Sequence, residues 1–176
     1  MFSPVPFRII TDWRVKGRLT DVVRLLTTPE TFPIWWSEVY LAVKPLAPGD
    51  AQGIGHTVSI KSRGWLRYRL QWRARLIEAD LPYRWVIEAS GDINGRGTWH
   101  LRQAGDLVEI EYDWQVTSNN PLVRLLTPMF GWLMAANHRW AMARGEAALK
   151  GALTKLYRAK NLPDATTYAP GLTAVQ

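Results

Sequence analysis

Hydrophobic and polar residues alternate along most of the chain between residues 7 and 117. In the first such segment, Phe7, Ile9, Trp13 and Val15 occupy one phase and charged residues occupy the other. A period of two residues is typical of strands that bury one face. The pattern predicts seven strands, at about 7–17, 39–45, 55–62, 66–79, 84–91, 97–104 and 107–117. Their turn-like connections are too short for parallel crossovers, so the sheet is expected to be an antiparallel meander.

Two short helices are predicted between the first and second strands. Thr20 is a suitable N-cap for a helix that ends near Leu26, ahead of Pro29. A second short helix is expected to end at the paired tryptophans Trp35 and Trp36.

The last long apolar segment, residues 121–159, predicts a helix that packs on the sheet. At 100° per residue, one stripe contains Leu122, Leu126, Met129, Leu133, Ala136, Trp140, Ala143, Ala147 and Gly151. The stripe begins with large residues and ends with small ones, which predicts a cavity beside its second half. Thr127-Pro128 predicts a kink or a break, with the main helix starting at Pro128.

These elements predict an α+β fold in which a curved, seven-stranded antiparallel sheet wraps around a long C-terminal helix. We expect a single domain over residues 1–160. The segment 161–176 has no periodicity and is expected to be a flexible tail.

Composition narrows the class of protein further. The 176 residues include no cysteine, which excludes disulfides and thiolate chemistry and fits a reducing compartment. No segment supplies about 18 uninterrupted apolar residues, so a soluble, cytoplasmic protein is expected.

The net charge of +7 raises the question of an anionic partner. Basic residues occupy the polar phase of one strand and acidic residues that of another; the two sets are Arg67, Arg69, Arg73 and Arg75, and Glu109, Glu111 and Asp113. Cross-strand ion pairing is the simpler interpretation. A polyanion-binding surface is the alternative. We expect no nucleic-acid partner, leave open a weak membrane contact that includes Trp132, and expect a monomer or a homodimer.

Several turn and packing residues resemble those of a known superfamily. They are the helix end at Trp35 and Trp36, Glu78 with Pro82 and Trp85, the spacing of Gly91, Gly97 and Trp99, and the closing strand before the long helix. With the order of elements, they resemble the helix-grip arrangement of the START-like (SRPBCC) superfamily, in its polyketide cyclase/dehydrase and lipid transport branch. The resemblance implies a hydrophobic pocket for lipids, polyketides or aromatic metabolites. It implies no shared catalytic residue.

Ten tryptophans are present, and several lie on the apolar phase of their strands. They could simply pack a core, or they could line a cavity that small helix residues leave open. On the second interpretation the expected ligand-binding residues are Trp36, Tyr68, Trp72, Trp85, Trp99, Tyr112, Trp114, Met129, Leu133, Asn137, Trp140 and Arg144.

Catalytic chemistry is less evident. His100 and His138 are predicted to face solvent, and neither these nor His56 has the spacing of a zinc site, so no metal or cofactor is expected. Three functions stay open: binding of a hydrophobic small molecule, a cyclase or dehydratase that uses Arg144, Tyr68 or Tyr112, and a module that contacts membranes or proteins.

Overall fold

The computed structural model describes residues 7–65, 68–117 and 121–160, without the side chains of Thr117, 121–130 and Leu133. Its strands are β1 (Phe7–Lys16), β2 (Tyr40–Ala47), β3 (Thr57–Arg63), β4 (Arg69–Asp80), β5 (Arg84–Gly91), β6 (Asn94–Ala104) and β7 (Leu107–Thr117). Its helices are α1 (Leu19–Leu26), a 3-10 turn (Pro29–Thr31), α2 (Phe32–Trp35) and α3 (Pro121–Ala159). The predicted tail at 161–176, and Leu66 and Arg67 at the predicted start of the fourth strand, lie outside the described residues.

The strands form one antiparallel sheet in the order β1-β7-β6-β5-β4-β3-β2. Consecutive strands pair from β2 to β7, and β1 then pairs along its whole length with β7. A bulge between Leu76 and Glu78 interrupts the pairing of β4 with β5. The predicted α+β meander with a long C-terminal helix is therefore confirmed.

The start of α1 differs from the prediction. Its N-cap is Arg18, which makes no side-chain cap hydrogen bond, rather than Thr20. Gln103 of β6 performs that role instead, because its Oε1 accepts a hydrogen bond from the amide of Leu19 at 2.8 Å. The amide of Arg18 donates to the hydroxyl of Tyr157 at 2.9 Å. Both partners are remote in sequence, so local capping rules do not identify them.

Helix α3 turns a different face to the sheet from the one predicted. Met142, Gly145, Leu149, Leu153 and Tyr157 are buried. The predicted stripe residues Ala143, Ala147 and Gly151 are exposed. The error is one residue, or about 100° around the helix. Alanine and glycine carry little information about burial, since alanine favours helices on any face; the large apolar residues define the buried face here.

Of the kink or break predicted at Thr127-Pro128, the break is wrong, and so is the start of the main helix at Pro128. The helix α3 runs without interruption from Pro121 to Ala159. A proline inside a helix removes one backbone hydrogen bond, and a helix of this length continues through such a local loss. Its start at Pro121 agrees with the preference of proline for the first turn of a helix.

Around Gly145, Leu149 and Leu153 the described interior is closely packed, and we call this region the solid half; the taper predicted a cavity here. Leu149 and Leu153 are fully buried. The indoles of Trp13 and Trp36 lie against Gly145, where they occupy the space that a Cβ atom would need. The glycine therefore serves close packing of two aromatic rings, and the predicted position of the cavity is wrong.

Candidate functional site

The cavity lies beside residues 134–142 of α3, where the helix faces β2, β3, β4 and β7. Its volume is about 330 Å³. The aromatic part of its wall comes from several elements, namely Phe7, Trp36, Tyr40, Tyr68, Trp72, Tyr112 and Trp114. Met134, Asn137, His138, Ala141 and Met142 form the helix side.

A row of aromatic rings follows the inner face of the sheet from the solid region into this cavity. Trp85 stacks on Trp99 with their centroids 5.8 Å apart, and Trp99 stacks on Tyr112 at 4.1 Å. Tyr112 stacks in turn on Trp114 at 5.8 Å. Trp72 completes the row 6.5 Å from Trp114. Because each ring supports the next, the flat walls of the cavity are held in place before any ligand enters.

The structure brings together half of the residues predicted to bind a ligand. Trp36, Tyr68, Trp72, Tyr112, Trp114 and Asn137 line the cavity. Trp85, Trp99, Trp140 and Arg144 do not line it. Trp85 and Trp99 have the predicted inward phase, and their indoles are buried in the solid region. The side chains of Met129 and Leu133 lie outside the described residues.

Arg144 lies on the protein surface. Its side chain is 51% exposed, and its Nε lies 3.5 Å from Oε2 of Glu38. An ion pair between two such exposed groups contributes little to stability. The structure therefore gives Arg144 no contact with the cavity.

His138 lies in the cavity wall, whereas the sequence placed it toward solvent. Its Nε2 is 3.2 Å from Oγ1 of Thr11. Its ring lies nearly parallel to that of Tyr112, with 6.2 Å between centroids. Burial, with a smaller contribution from the charge of Arg139, lowers the pKa of His138 to about 4. The imidazole is consequently neutral at physiological pH and can both donate and accept a hydrogen bond.

Three tyrosine hydroxyls in the wall have no hydrogen-bond partner among the described residues. They belong to Tyr68, at the exposed rim, and to two inner phenols, Tyr40 and Tyr112. Burial raises the pKa of both phenols above the ordinary value, so both keep their proton. A buried donor without a partner is unfavourable, and a ligand or water molecule that accepts a hydrogen bond relieves that cost.

Tyr40 was missed by the sequence analysis. It begins β2 directly after a turn, where the period of two residues is not yet established. The available signal was its spacing of four residues from Trp36. The Tyr40 ring packs 4.9 Å from the indole of Trp36 and 4.9 Å from the ring of Phe32.

Two polar side chains of the cavity wall already form hydrogen bonds within the protein. Asn137 Oδ1 accepts a hydrogen bond from the amide of Trp65 at 2.7 Å, which joins α3 to the β3–β4 hairpin. Ser62 Oγ accepts one from the indole of Trp72 at 3.0 Å. Tyr68 is 41% exposed, at the rim of the cavity and just ahead of β4. The polar groups still available to a ligand therefore lie inside, at Tyr40, Tyr112 and His138.

The described residues contain no group of three or more His, Asp or Glu side chains arranged to hold a metal ion. Within the same part of the chain, no helix has the length and apolar character needed to cross a bilayer.

Comparison with solved structures places this architecture among known proteins. The aromatase/cyclase Zhui from Streptomyces sp. R1128 superposes with a TM-score of 0.72 at 12% identity, over 90% of this chain and 100% of that one. A START superfamily protein from Mycobacterium smegmatis gives 0.64 at 13% identity, over 85% and 98%. Norcoclaurine synthase from Thalictrum flavum, in complex with dopamine and hydroxybenzaldehyde, gives 0.58 at 17% identity, over 86% and 88%.

Sequence comparison adds no relative to these. No protein-family model matches the chain, and no curated protein matches it significantly. At such low identities the structural likeness establishes the fold. The chain has the helix-grip fold of these solved structures, which is the fold that the resemblance in its sequence implied.

Proposed function

We propose that the protein binds a hydrophobic small molecule in the cavity between the sheet and α3. The observation that carries this proposal is the space of about 330 Å³ with stacked indole and phenol walls. Cavities of roughly 300–1,000 Å³ with apolar walls and a few polar groups are the usual form of small-molecule sites. The structural neighbours include an aromatase/cyclase and a synthase bound to aromatic compounds, which agrees with such a ligand.

The shape and chemistry of the wall favour a planar aromatic ligand over a long acyl chain. Trp72, Tyr112 and Trp114 offer flat faces to the cavity, and Trp99, the next ring in the row, lies outside it. Burying about 250 Å² of apolar ligand surface supplies roughly 6 kcal/mol before ordering costs are subtracted. Affinity would therefore come mainly from the rings.

Orientation would come from the two free phenols. The hydroxyls of Tyr40 and Tyr112 can donate hydrogen bonds to a carbonyl or phenolic oxygen. A ligand without such an oxygen leaves both donors unpaired, at a cost of about 1–3 kcal/mol for each buried group. The ligand we infer is thus an aromatic or fused-ring compound with one hydrogen-bond acceptor.

A matched pair of probes tests this inference. α-Tetralone and tetralin have the same fused-ring skeleton, but only the first carries a carbonyl. Titration calorimetry should give tighter binding of α-tetralone, by about tenfold for one satisfied donor. Tyr40→Phe or Tyr112→Phe should reduce this preference, and native mass spectrometry of gently purified protein should detect a bound aromatic compound. Failure of both probes to bind would contradict the proposal.

Acid–base catalysis in the same cavity is a second candidate, which His138 favours. A neutral imidazole beside Thr11 can remove a proton from the carbon next to a ligand carbonyl, and this is the step that initiates many cyclisations. His138 is better placed for this role than Arg144, which lies on the surface.

Proton exchange measures this activity without the natural substrate. Deuterium uptake by α-tetralone at the carbon next to its carbonyl, followed by NMR, should be accelerated by the protein. His138→Gln should abolish the acceleration while binding persists, and Arg144→Gln should leave both unchanged. Equal exchange with and without the protein would remove the catalytic candidate and leave the binding proposal standing.

A further inference from the structure

The outer face of the sheet is divided into a half with ion pairs and a half with unpaired cations. On β1, β6 and β7 the acidic side chains meet basic ones, in the pairs Arg8–Asp113, Arg14–Glu109, Lys16–Asp106, His100–Glu111 and Arg102–Glu109. Strands β2 and β3, and β4 as far as Leu76, contain no acidic residue. Their basic residues are Lys44, Lys61, Arg63, Arg69, Arg73 and Arg75.

This arrangement corrects the expectation that basic and acidic strands neutralise each other. The basic strand β4 and the acidic strand β7 are separated by β5 and β6. The acidic residues of β7 therefore pair with β1 and β6. In the register, Arg75 faces Glu88 of β5 without forming an ion pair.

Five of these cations form one exposed surface, which we call the basic face: Lys44, Lys61, Arg69, Arg73 and Arg75. The register places Lys44 and Arg73 on either side of Ser59, so all three side chains lie on the same face of the sheet. None of the five has an ion-pair partner within the described part of the chain. Arg63, at the end of β3, donates instead to the backbone oxygen of Glu38.

An exposed indole lies at one end of this surface. Trp65, in the hairpin between Arg63 of β3 and Arg69 of β4, is 50% exposed. Its amide donates a hydrogen bond to Asn137 of α3, which ties the hairpin to the helix. Tryptophan side chains favour the boundary between headgroups and acyl chains in a bilayer.

We propose that the basic face, with the Trp65 indole at its end, docks the protein on an anionic lipid bilayer. The cations provide long-range attraction to acidic headgroups, and the indole provides contact with the interface. The indole stands in the hairpin beyond the cations rather than between them, where bases stacked along a nucleic-acid strand require aromatic side chains. This goes beyond ligand binding, because it assigns a membrane partner to the outer face of the sheet.

Flotation with vesicles tests the proposal. Vesicles of equal parts phosphatidylcholine and phosphatidylglycerol should bind the full chain, and vesicles of phosphatidylcholine alone should bind it much less. Raising the salt concentration from roughly 0.05 M to 0.5 M should weaken the binding steeply. Replacing both arginines, Arg73→Gln with Arg75→Gln, should lower the partition coefficient about 30-fold, or about fivefold for each side chain.

A matched control distinguishes the effect of the basic face on membrane binding from the effect of net charge. Arg14→Gln with Arg102→Gln removes the same charge from the paired half of the same sheet and should lower the partition coefficient less than about threefold. Trp65→Gln should weaken binding at high salt as well as at low salt. Uptake of α-tetralone by the Arg73 and Arg75 double variant should be unchanged, so failure of docking and failure of ligand binding are separate results.

Three outcomes would overturn the proposal. They are indifference to the anionic vesicles, equal losses in the two double variants, and binding to a single-stranded oligonucleotide that is tighter than binding to the vesicles.

Discussion

The interior has a solid half and a hollow half, although one row of stacked rings runs through both. In the solid half, α3 presents Gly145, which meets the indoles of Trp13 and Trp36, and the fully buried Leu149 and Leu153. In the hollow half, α3 presents Asn137, His138 and Ala141, and a cavity of about 330 Å³ stays open. Both halves contain large aromatic rings, so aromatic residues alone do not determine where the space lies.

The comparison also separates stability from function. The solid half consists of fully buried aliphatic and aromatic side chains, whose burial stabilises the fold. The hollow half contains a neutral histidine and two inner phenols without hydrogen-bond partners among the described residues, a combination that lowers stability unless a ligand is bound. Substitutions in the solid half should therefore affect mainly stability, and substitutions in the hollow half mainly ligand binding.

The largest expected effect is loss of stability in the solid half. Leu149→Ala should lower the free energy of unfolding by about 3 kcal/mol, because it leaves a void beside a fully buried position. Met134→Ala, in the hollow half, should cost about 1 kcal/mol, because its side chain already borders open space. Urea titration of both variants measures the difference, and similar losses would contradict the division into two halves.

The next effect is loss of ligand binding when the hollow half is filled. Ala141→Trp places an indole in the cavity and should reduce α-tetralone affinity at least tenfold. Ala143→Trp, two residues along α3, is the control, since Ala143 is exposed. If both variants bound the ligand equally, the helix phase described above would be wrong.

A third effect is the pH dependence of protein stability that comes from His138 in the hollow half. The pKa of His138 falls from about 6.5 in the unfolded chain to about 4 in the folded protein. The unfolded chain thus takes up the extra proton between these values, so stability is retained above about pH 6.5 and is lost as the pH falls toward about 4.

Comparison with a variant isolates this contribution. In His138→Gln the loss between these pH values should be smaller, whereas the lower-pH loss that comes from Asp113, whose pKa is lowered by its hydrogen bond to Arg8, should persist. Denaturant midpoints measured across the pH range provide the test. Identical profiles for the two proteins would show that His138 is not buried as described.

The smallest effect concerns the surface of α3 between the two halves. Arg144→Ala removes a side chain that pairs with Glu38 and does not line the cavity. We expect ligand affinity to change by less than about twofold and the free energy of unfolding to change by less than about 0.5 kcal/mol. A large loss of affinity would extend the ligand site beyond the hollow half.

The sheet was largely predictable from the sequence, and the helix phase was not. A period of two residues gives only two choices of face, and bulky residues such as Trp13, Trp72 and Trp114 decide between them. A helix offers many faces, and in α3 the small residues fit the exposed side as well as the buried one. Weighting Met142, Leu149 and Leu153 above the alanines identifies the correct face.

The error in the phase of α3 also caused the errors in the predicted site. A shift of one residue on α3 moved His138 from the cavity to solvent in the predicted arrangement and moved Arg144 in the opposite direction. Strand-borne residues such as Trp72, Tyr112 and Trp114 were placed correctly. The separation of β4 from β7 follows from the order of the strands in the sheet. A local pattern of charges does not reveal that order.

The most direct test of the central claim is a crystal structure of the protein with α-tetralone. The account predicts density for the rings in the hollow half, against Trp114 and Tyr112, with the carbonyl oxygen within hydrogen-bond distance of Tyr40 or Tyr112. Density for the compound at another site, or a cavity closed by the surrounding side chains in a protein that still binds it, would contradict the account.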